Sequence, residues 1–218
     1  LAQKLLLQMP EDTELQKIFA QASLQSNRMD EAIAQYEAVL RASPDDRDAL
    51  VNLAIAHAQK GATDEKSFRL YRKAVAVSDR SPERVVRELQ LVFGKGHESP
   101  RLRWLLAELL VAKNRLREAC EQLLAVFEND PSQIDQVIGG YSRILDKDSR
   151  NALALVQRGV LLKTRGRFEE AARDLRAAFE ANPQNPDAQR ELVELYQAVL
   201  REHPDDVAAR HQLGEVYV

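Results

Sequence analysis

The chain has 218 residues, with 34 acidic and 31 basic side chains and a formal net charge of −3. Hydrophobic residues make up 44% and aromatic residues 6%, and there are only eight Gly and eight Pro. This composition indicates a folded, mostly helical chain with an aliphatic core, and it excludes an all-β fold and a disordered tail. The single cysteine, Cys120, excludes an internal disulfide and a cysteine-based metal site. A net charge of −3 does not indicate the basic surface that is typical of proteins that bind nucleic acid.

In chain order, apolar residues recur at helical spacing in pairs of segments, and each pair closes on a proline or an aspartate. Pro131 and Pro183 end two such pairs, 52 residues apart. Four pairs superimpose slot by slot, and a fifth lacks its second helix. The repeat units are 13–44, 47–79, 100–131, 152–183 and the partial unit 207–218.

Two recurring positions in these units, here called slots, require particular residue types for physical reasons. The first helix carries a small residue where its partner helix must approach closely: Ala20, Ala54, Ala107, Gly159 and Gly214. Between the two helices lies a residue that tolerates the left-handed conformation ending a helix: Asn27, Gly61, Asn114 and Gly166.

With these slots in register, the chain resembles a tetratricopeptide repeat (TPR) protein, an array of helix–turn–helix units of about 34 residues. The usual Trp of the first helix is missing, and Trp104 lies one residue past that slot. The resemblance implies an all-α, α-α superhelical solenoid of antiparallel helix pairs, in one continuous array over residues 1–218. It also implies a concave surface, lined mainly by first helices, that binds a protein or peptide partner.

Three segments do not fit a whole repeat unit, and each has room for one amphipathic helix. These lone helices are predicted at about 82–93, 134–146 and 187–202. Since stacked helices run antiparallel to their neighbours, one extra helix reverses every later unit. Either the helices re-pair consecutively through the lone helices, which we favour, or the lone helices are halves of repeats whose partner helices were lost.

Gly139 and Gly140 are adjacent inside the middle lone helix, where two glycines cost about 2 kcal/mol of helix propensity. One interpretation is close backbone packing or a kink. The other is a hinge that changes the curvature of the array. Both interpretations stay open on the sequence alone.

No pattern of catalytic or metal-binding residues is present. His57, His97, His203 and His211 lack metal-ligand spacing, and Cys120 falls beside a small-residue slot, where we expect it to be packed and inert. No apolar run approaches the roughly 18 residues of a membrane span. We therefore expect no enzyme activity, no cofactor and no membrane span in this chain.

The candidate partner-binding residues follow from helical spacing on the inner wall that the resemblance implies. They are Lys17, Gln21, Asn52, Ile55, Gln59, Arg84, Arg87, Trp104 and Glu108. Some members of the family grip a C-terminal carboxylate, and Lys17, Gln21, Asn52, Arg84 and Arg87 occupy comparable places imperfectly. Trp104 is either buried against the lone helix 82–93 or a partner-facing anchor.

The function predicted is a non-catalytic protein-interaction scaffold, as one section of a bacterial assembly, envelope or secretion machine such as exopolysaccharide export. The alternative is a regulatory or adaptor section of a multidomain enzyme or signalling protein. The chain begins at Leu1 without Met, so we expect a piece of a longer protein, in the periplasm or the cytoplasm. Apolar ends around Leu5, Leu6 and Tyr217 predict weak self-association.

Overall fold

The computed structural model describes residues 9, 11–60, 65–77, 81–96 and 99–217, which form twelve α-helices and one short 3-10 helix without any strand. This confirms the all-α, TPR-like class predicted from the repeats. Gly61, Leu5 and Leu6 lie outside the described residues. The helices are α1 Thr13–Gln25, α2 Met29–Ala42, α3 Arg47–Gln59, α4 Glu65–Val77, α5 Ser81–Gly94, α6 Pro100–Ala112, α7 Leu116–Asn129, α8 Ile134–Lys147, α9 Ala152–Thr164, α10 Phe168–Ala181, α11 Pro186–Glu202 and α12 Val207–Val216. The 3-10 helix Pro131–Gln133 precedes α8.

The turn inside a repeat pair is built in the same way at three places. Asn27, Asn114 and Gly166 have φ values of 59°, 57° and 75°, in the left-handed region that the sequence pattern predicts for them. The third residue beyond the helix donates its backbone N–H back to a carbonyl of the last turn, as from the Arg28 N–H to the Ser23 oxygen at 2.8 Å. Arg115 and Arg167 make the same bond, five residues back, at 2.9 Å. These turns fix each pair as an antiparallel hairpin.

Five of the first and lone helices, α1, α3, α9, α11 and α12, carry an Asp or Asn at the N-cap. The Asp46 carboxylate accepts from the Ala49 N–H at 2.9 Å, and the Asp206 carboxylate accepts from the Ala209 N–H at 2.9 Å. Asp12, Asn151 and Asn185 cap α1, α9 and α11 in the same way. Each cap satisfies backbone donors that have no partner within the helix.

Within a pair, the small residue of the first helix permits close packing. A Cβ built on Gly159 would lie 2.7 Å from Cγ of Leu175 and 3.4 Å from the Ala171 carbonyl oxygen on the partner helix α10. Gly159 and Leu175 are both buried. The approach of α9 to α10 therefore depends on the missing side chain at position 159.

The chain divides into two compact units, Leu1–Leu109 and Leu110–Val218. In the first unit, α1 to α5 pack consecutively, so that each of α1 to α4 contacts the next helix in the chain, and α3 also contacts α1 and α5. The helices α1, α3 and α5 therefore form one row, and the lone helix α5 is an ordinary member of it.

In the second unit, α7 to α12 again pack consecutively, and α9 contacts both α7 and α11 across the intervening helices. This row combines three kinds of helix: α7 is the second helix of its repeat pair, α9 is the first helix of the next pair, and α11 is a lone helix. The lone helix α8 packs between α7 and α9 instead of folding away from them. Within this unit, the helices thus re-pair consecutively, which is the arrangement that we favoured.

Helix α8 runs without interruption through the adjacent glycines. Gly140 is buried, whereas Gly139 is exposed and a Cβ built on it would have no atom within 4 Å apart from its own helix. Gly139 therefore has no close neighbour that would require a glycine, and both the close packing at Gly140 and the hinge stay predictions.

A buried ion pair joins α9 to α10 beside α8. Nε and Nη2 of Arg158 donate to the two carboxylate oxygens of Asp174 at 2.6 Å and 2.7 Å, and Nη1 donates to Oγ of Ser142 on α8 at 3.0 Å. Asp174 is buried. The two parallel hydrogen bonds between Arg158 and Asp174 require one relative position of these side chains on α9 and α10. Because Arg158 also bonds to Ser142, the group holds three helices together at one point.

We predict opposite effects for alanine at two of the glycines. Gly139→Ala should raise the free energy of unfolding by up to about 1 kcal/mol, because the site is open and alanine favours helix. Gly159→Ala should lower it by about 1–3 kcal/mol, because its methyl group would overlap Leu175. Urea denaturation followed by circular dichroism measures both, and equal effects would contradict the close approach.

A second prediction concerns the ion pair. Asp174→Asn should lower the free energy of unfolding by roughly 2–3 kcal/mol, because Arg158 then lacks its carboxylate in a buried setting. The double variant Arg158→Leu/Asp174→Leu should stay within about 1 kcal/mol of the parent, as in the preceding repeat, where Leu106 holds the place equivalent to Arg158. A double variant as unstable as Asp174→Asn would show that packing, not the unpaired charge, explains the loss.

Candidate functional site

The accessible part of α3 is one polar stripe. Along this helix, Asp48, Asn52 and Gln59 are not buried and fall on the same face, and nine of its thirteen residues are buried. Ile55 lies on that face in the sequence pattern but is only 5% exposed, so its place among the accessible candidates was wrong. Ile55 is buried because four helices, α1, α2, α4 and α5, pack against α3. Helical spacing shows which face a residue lies on, but not how deeply that face is buried.

On α1, Gln21 is exposed and Lys17 is engaged within the chain. Nζ of Lys17 pairs with Oε1 of Glu14 at 2.6 Å and with Oδ2 of Asp46 at 3.1 Å. The hydrogen bond to Glu14, joined by that to Asp46, raises the pKa of Lys17 above its ordinary value and keeps the ammonium charged. The positive charge of Lys17 is therefore already paired with carboxylates of the same chain.

On α5, the two arginine candidates differ. Arg84 forms an ion pair with Asp48, and its Nη2 donates to Oδ1 of Asn52 at 2.8 Å. Arg87, one turn further on, is exposed and makes no ion pair with the described residues. The structure thus brings Asn52 and Arg84 together, and it leaves Arg87 as the uncompensated cation of the group.

These pairs bear on the carboxylate grip that the resemblance implies. Two of its cations, Lys17 and Arg84, already hold carboxylates of this chain, Asp46 and Asp48. An incoming carboxylate would have to displace them. The arrangement is suited to partner groups that accept or donate hydrogen bonds alongside these pairs, rather than to a bare anion.

The two candidates on α6 lie elsewhere. Oε2 of Glu108 accepts from Nη1 of Arg72 on α4 at 3.1 Å, and α4 does not belong to the row of α1, α3 and α5. Trp104 is half-buried, between the two alternatives considered for it. The structure therefore does not join Glu108 to the Asn52–Arg84 group.

A groove of about 690 Å³ lies in the second unit, between α10 and α12, with α11 as its floor. Leu195, Tyr196 and Val199 of α11 give it an apolar base, and charged side chains line its two ends. Tyr196 is 6% exposed, and its hydroxyl has no hydrogen-bond partner among the described residues. Burial raises the pKa of that hydroxyl.

The sequence reasoning placed no binding residue in this groove. One signal was available in the interval from Pro183 to Pro204, which is 21 residues. This is three more than the 18 residues that remain when a 34-residue unit is taken from the 52-residue spacing of Pro131 and Pro183, and α11 accordingly has 17 residues. The Arg158–Asp174 pair was missed as well. Its signal is an opposite charge pair 16 residues apart within one repeat, where the preceding repeat has Leu106 and Gln122.

Metal-binding clusters and the single thiol were considered as further candidate sites. They contain no group of three or more side chains placed to hold a metal ion. Burial raises the pKa of the Cys120 thiol to about 12, which leaves it protonated at neutral pH. In the same part of the chain, every helix is too short or too polar to cross a membrane.

Comparison with known proteins agrees with the repeat architecture. Two family models, both described as tetratricopeptide repeat, match residues 19–84 and 152–195. No curated protein sequence matches the chain.

Several solved structures are similar to the chain. YrrB, described as a TPR protein with an unusual peptide-binding site, is 18% identical over 87% of this chain and 96% of that chain, with a TM-score of 0.37. MamA is 16% identical over 95% and 92% of the two chains, with a TM-score of 0.36. The TPR domain of Arabidopsis OM64 is 15% identical over 86% and 97%, with a TM-score of 0.29.

The matched segments include the left-handed turns at Asn27 and Gly166, the capped helices and the close approach at Gly159. Sequence match and local geometry agree in both compact units. The chain belongs to the tetratricopeptide repeat family.

Proposed function

We propose that this protein is a non-catalytic scaffold that binds a peptide or partner segment along the row of α1, α3 and α5. The observation that carries the proposal is the polar stripe on α3, where Asp48, Asn52 and Gln59 are accessible on a helix that is otherwise largely buried. Repeat proteins of this family generally bind other proteins, and a row of neighbouring helices offers a continuous surface for a linear segment.

The chemistry of the stripe and its flanks suits a polar peptide. Gln21 on α1 and Gln59 on α3 carry amides that both donate and accept hydrogen bonds, which fits the backbone of an extended segment. The uncompensated guanidinium of Arg87 on α5 adds a site for an acidic side chain of the partner. The Lys17–Asp46 and Arg84–Asp48 pairs hold the surrounding side chains in place.

We also propose a place for the scaffold in a bacterial assembly, envelope or secretion machine, with exopolysaccharide export as one example. The regular Ala-, Arg- and Gln-rich repeats with DP- and NP-type ends support this. The full-length gene tests it: a signal peptide and an outer-membrane barrel would support it, whereas a kinase or transferase domain would support the regulatory alternative.

Site-specific photocrosslinking tests the binding surface. A benzoylphenylalanine at Gln59 or at Arg87 should yield discrete crosslinked products in an extract of the source cells, because both positions lie on the row that we assign to the partner. The matched control is the same probe at Arg41, an exposed position on α2 outside that row. Mass spectrometry identifies the products.

The control decides the interpretation. Products that require Gln59 or Arg87 and are absent at Arg41 support the proposed surface. The same products in equal yield at Arg41, or none at the two test positions, would refute it.

We further propose weak self-association through the apolar end of the second unit. On α12 and just after it, Val207 and Tyr217 are 72% and 63% exposed. Light scattering should show a mass that rises with concentration into the millimolar range, and Val207→Ser/Tyr217→Ser should suppress the rise, because it removes apolar surface from the contact. A constant monomer mass for the parent protein at high concentration would contradict this proposal.

A further inference from the structure

The groove in the second unit has a definite direction. Turns of four residues join α10 to α11 and α11 to α12, so both outer helices run antiparallel to α11 and parallel to each other. Nη1 of Arg176 on α10 donates to Oε1 of Gln212 on α12 at 2.8 Å, which places residues 36 apart at the same level. The start of α10 therefore lies at the same end of the groove as the turn from α11 to α12.

The charges along the groove are separated by sign. At the end formed by the start of α10 and the α11–α12 turn lie the carboxylates of Glu169, Glu202 and Asp206, with the exposed imidazole of His203. Towards the other end lie the guanidinium groups of Arg173 and Arg176. Seven residues of helix separate Glu169 from Arg176, which is about 10 Å.

The carboxylates and guanidinium groups that line the groove form no ion pair with a described residue. Neither arginine makes an ion pair with a described residue, and Nε of Arg176 donates only to the Ala172 carbonyl oxygen. Glu169 and Glu202 likewise have no cation partner in the described residues, and Asp206 serves as the N-cap of α12. This is unlike the neighbouring helices, where Arg158, Lys163 and Arg165 all pair with carboxylates across helices.

A smaller cavity beside this groove differs from it in how its polar side chains are partnered. Between α8 and α10, on the floor of α9, a cavity of about 240 Å³ is lined by the Arg158–Asp174 pair and Ser142. The Arg158, Asp174 and Ser142 side chains in it bond to one another. In the larger groove, an apolar floor, unpaired charges at both ends and the unpartnered hydroxyl of Tyr196 occur together.

We infer that this groove is a second docking surface, and that its occupant is a short amphipathic segment of a protein partner with a basic end, an apolar middle and an acidic end. The apolar residues cover Leu195, Tyr196 and Val199, the basic end meets the three carboxylates, and the acidic end meets Arg173 and Arg176. The charge complementarity of the two ends selects the segment. This inference rests on the proposed scaffold function and adds a site in the other unit.

The test uses three labelled helical peptides of equal length with the pattern Z-x-x-Leu-Leu-x-x-Z, which places the two Z positions seven residues apart. The Z residues are Lys and Glu in the first peptide, Lys and Lys in the second, and Glu and Glu in the third. Fluorescence anisotropy with the full chain at low salt should show the Lys/Glu peptide binding at least about threefold tighter than either of the others.

Charge reversal supplies the specificity test. Arg173→Glu/Arg176→Glu should make the groove acidic at both ends, and it should shift the preference to the Lys/Lys peptide by about fivefold or more. The matched control is Arg117→Glu, an exposed arginine on α7 outside the groove, which should leave the ranking unchanged. Ala208→Trp, at an exposed position that lines the groove, should block all three peptides.

The outcomes separate this inference from the proposed function. Three peptides of equal affinity, or a ranking that Arg117→Glu changes as much as the double reversal, would overturn the inference. In that case the crosslinking result at Gln59 and Arg87, and the proposed function that it tests, would be unaffected, because those positions lie in the other compact unit. A preference for the Lys/Lys or the Glu/Glu peptide in the parent protein would overturn it as well.

Discussion

Within each compact unit, the helices of the series α1 to α5 and α7 to α12 bury their apolar faces against the helices before and after them in the chain. A lone helix inserted among pairs therefore changes which helix the later members of its series face. In the second unit, α8 is such a helix, and it packs between α7 and α9. The second helix of one repeat and the first helix of the next consequently share a row. The repeat sequence therefore does not by itself decide which surface a helix contributes to.

This constraint shapes both candidate surfaces. In the first unit, the lone helix α5 takes a place in the row beside α3, which encloses Ile55 and brings Arg84 to Asp48 and Asn52. In the second unit, the row α7, α9 and α11 is closely packed, whereas α10 and α12 have no close backbone contact among the described residues. The space between them is the groove over Leu195 and Val199.

The backbone conformation of the turn residues was predictable from the sequence, whereas the distances between side chains on different helices were not. Asn27, Asn114 and Gly166 were expected in the left-handed region because few residues tolerate that conformation, and they adopt it. Ile55 was misjudged because helical spacing gives a direction but no depth. The pairing of Arg84 with Asp48 and Asn52 depends on long side chains meeting across helices, which spacing within one helix does not encode. The groove depends on the separation of α10 and α12, which no local pattern reports.

The consecutive packing through the lone helices is the central claim, and nuclear Overhauser effects between methyl groups test it most directly. With Leu, Val and Ile methyls labelled, consecutive packing predicts contacts from α7 to both α8 and α9, and from α9 to both α10 and α11. Contacts from α7 that skip α8 altogether, or a complete absence of α7–α9 contacts, would contradict it, because α8 would then lie outside the stack.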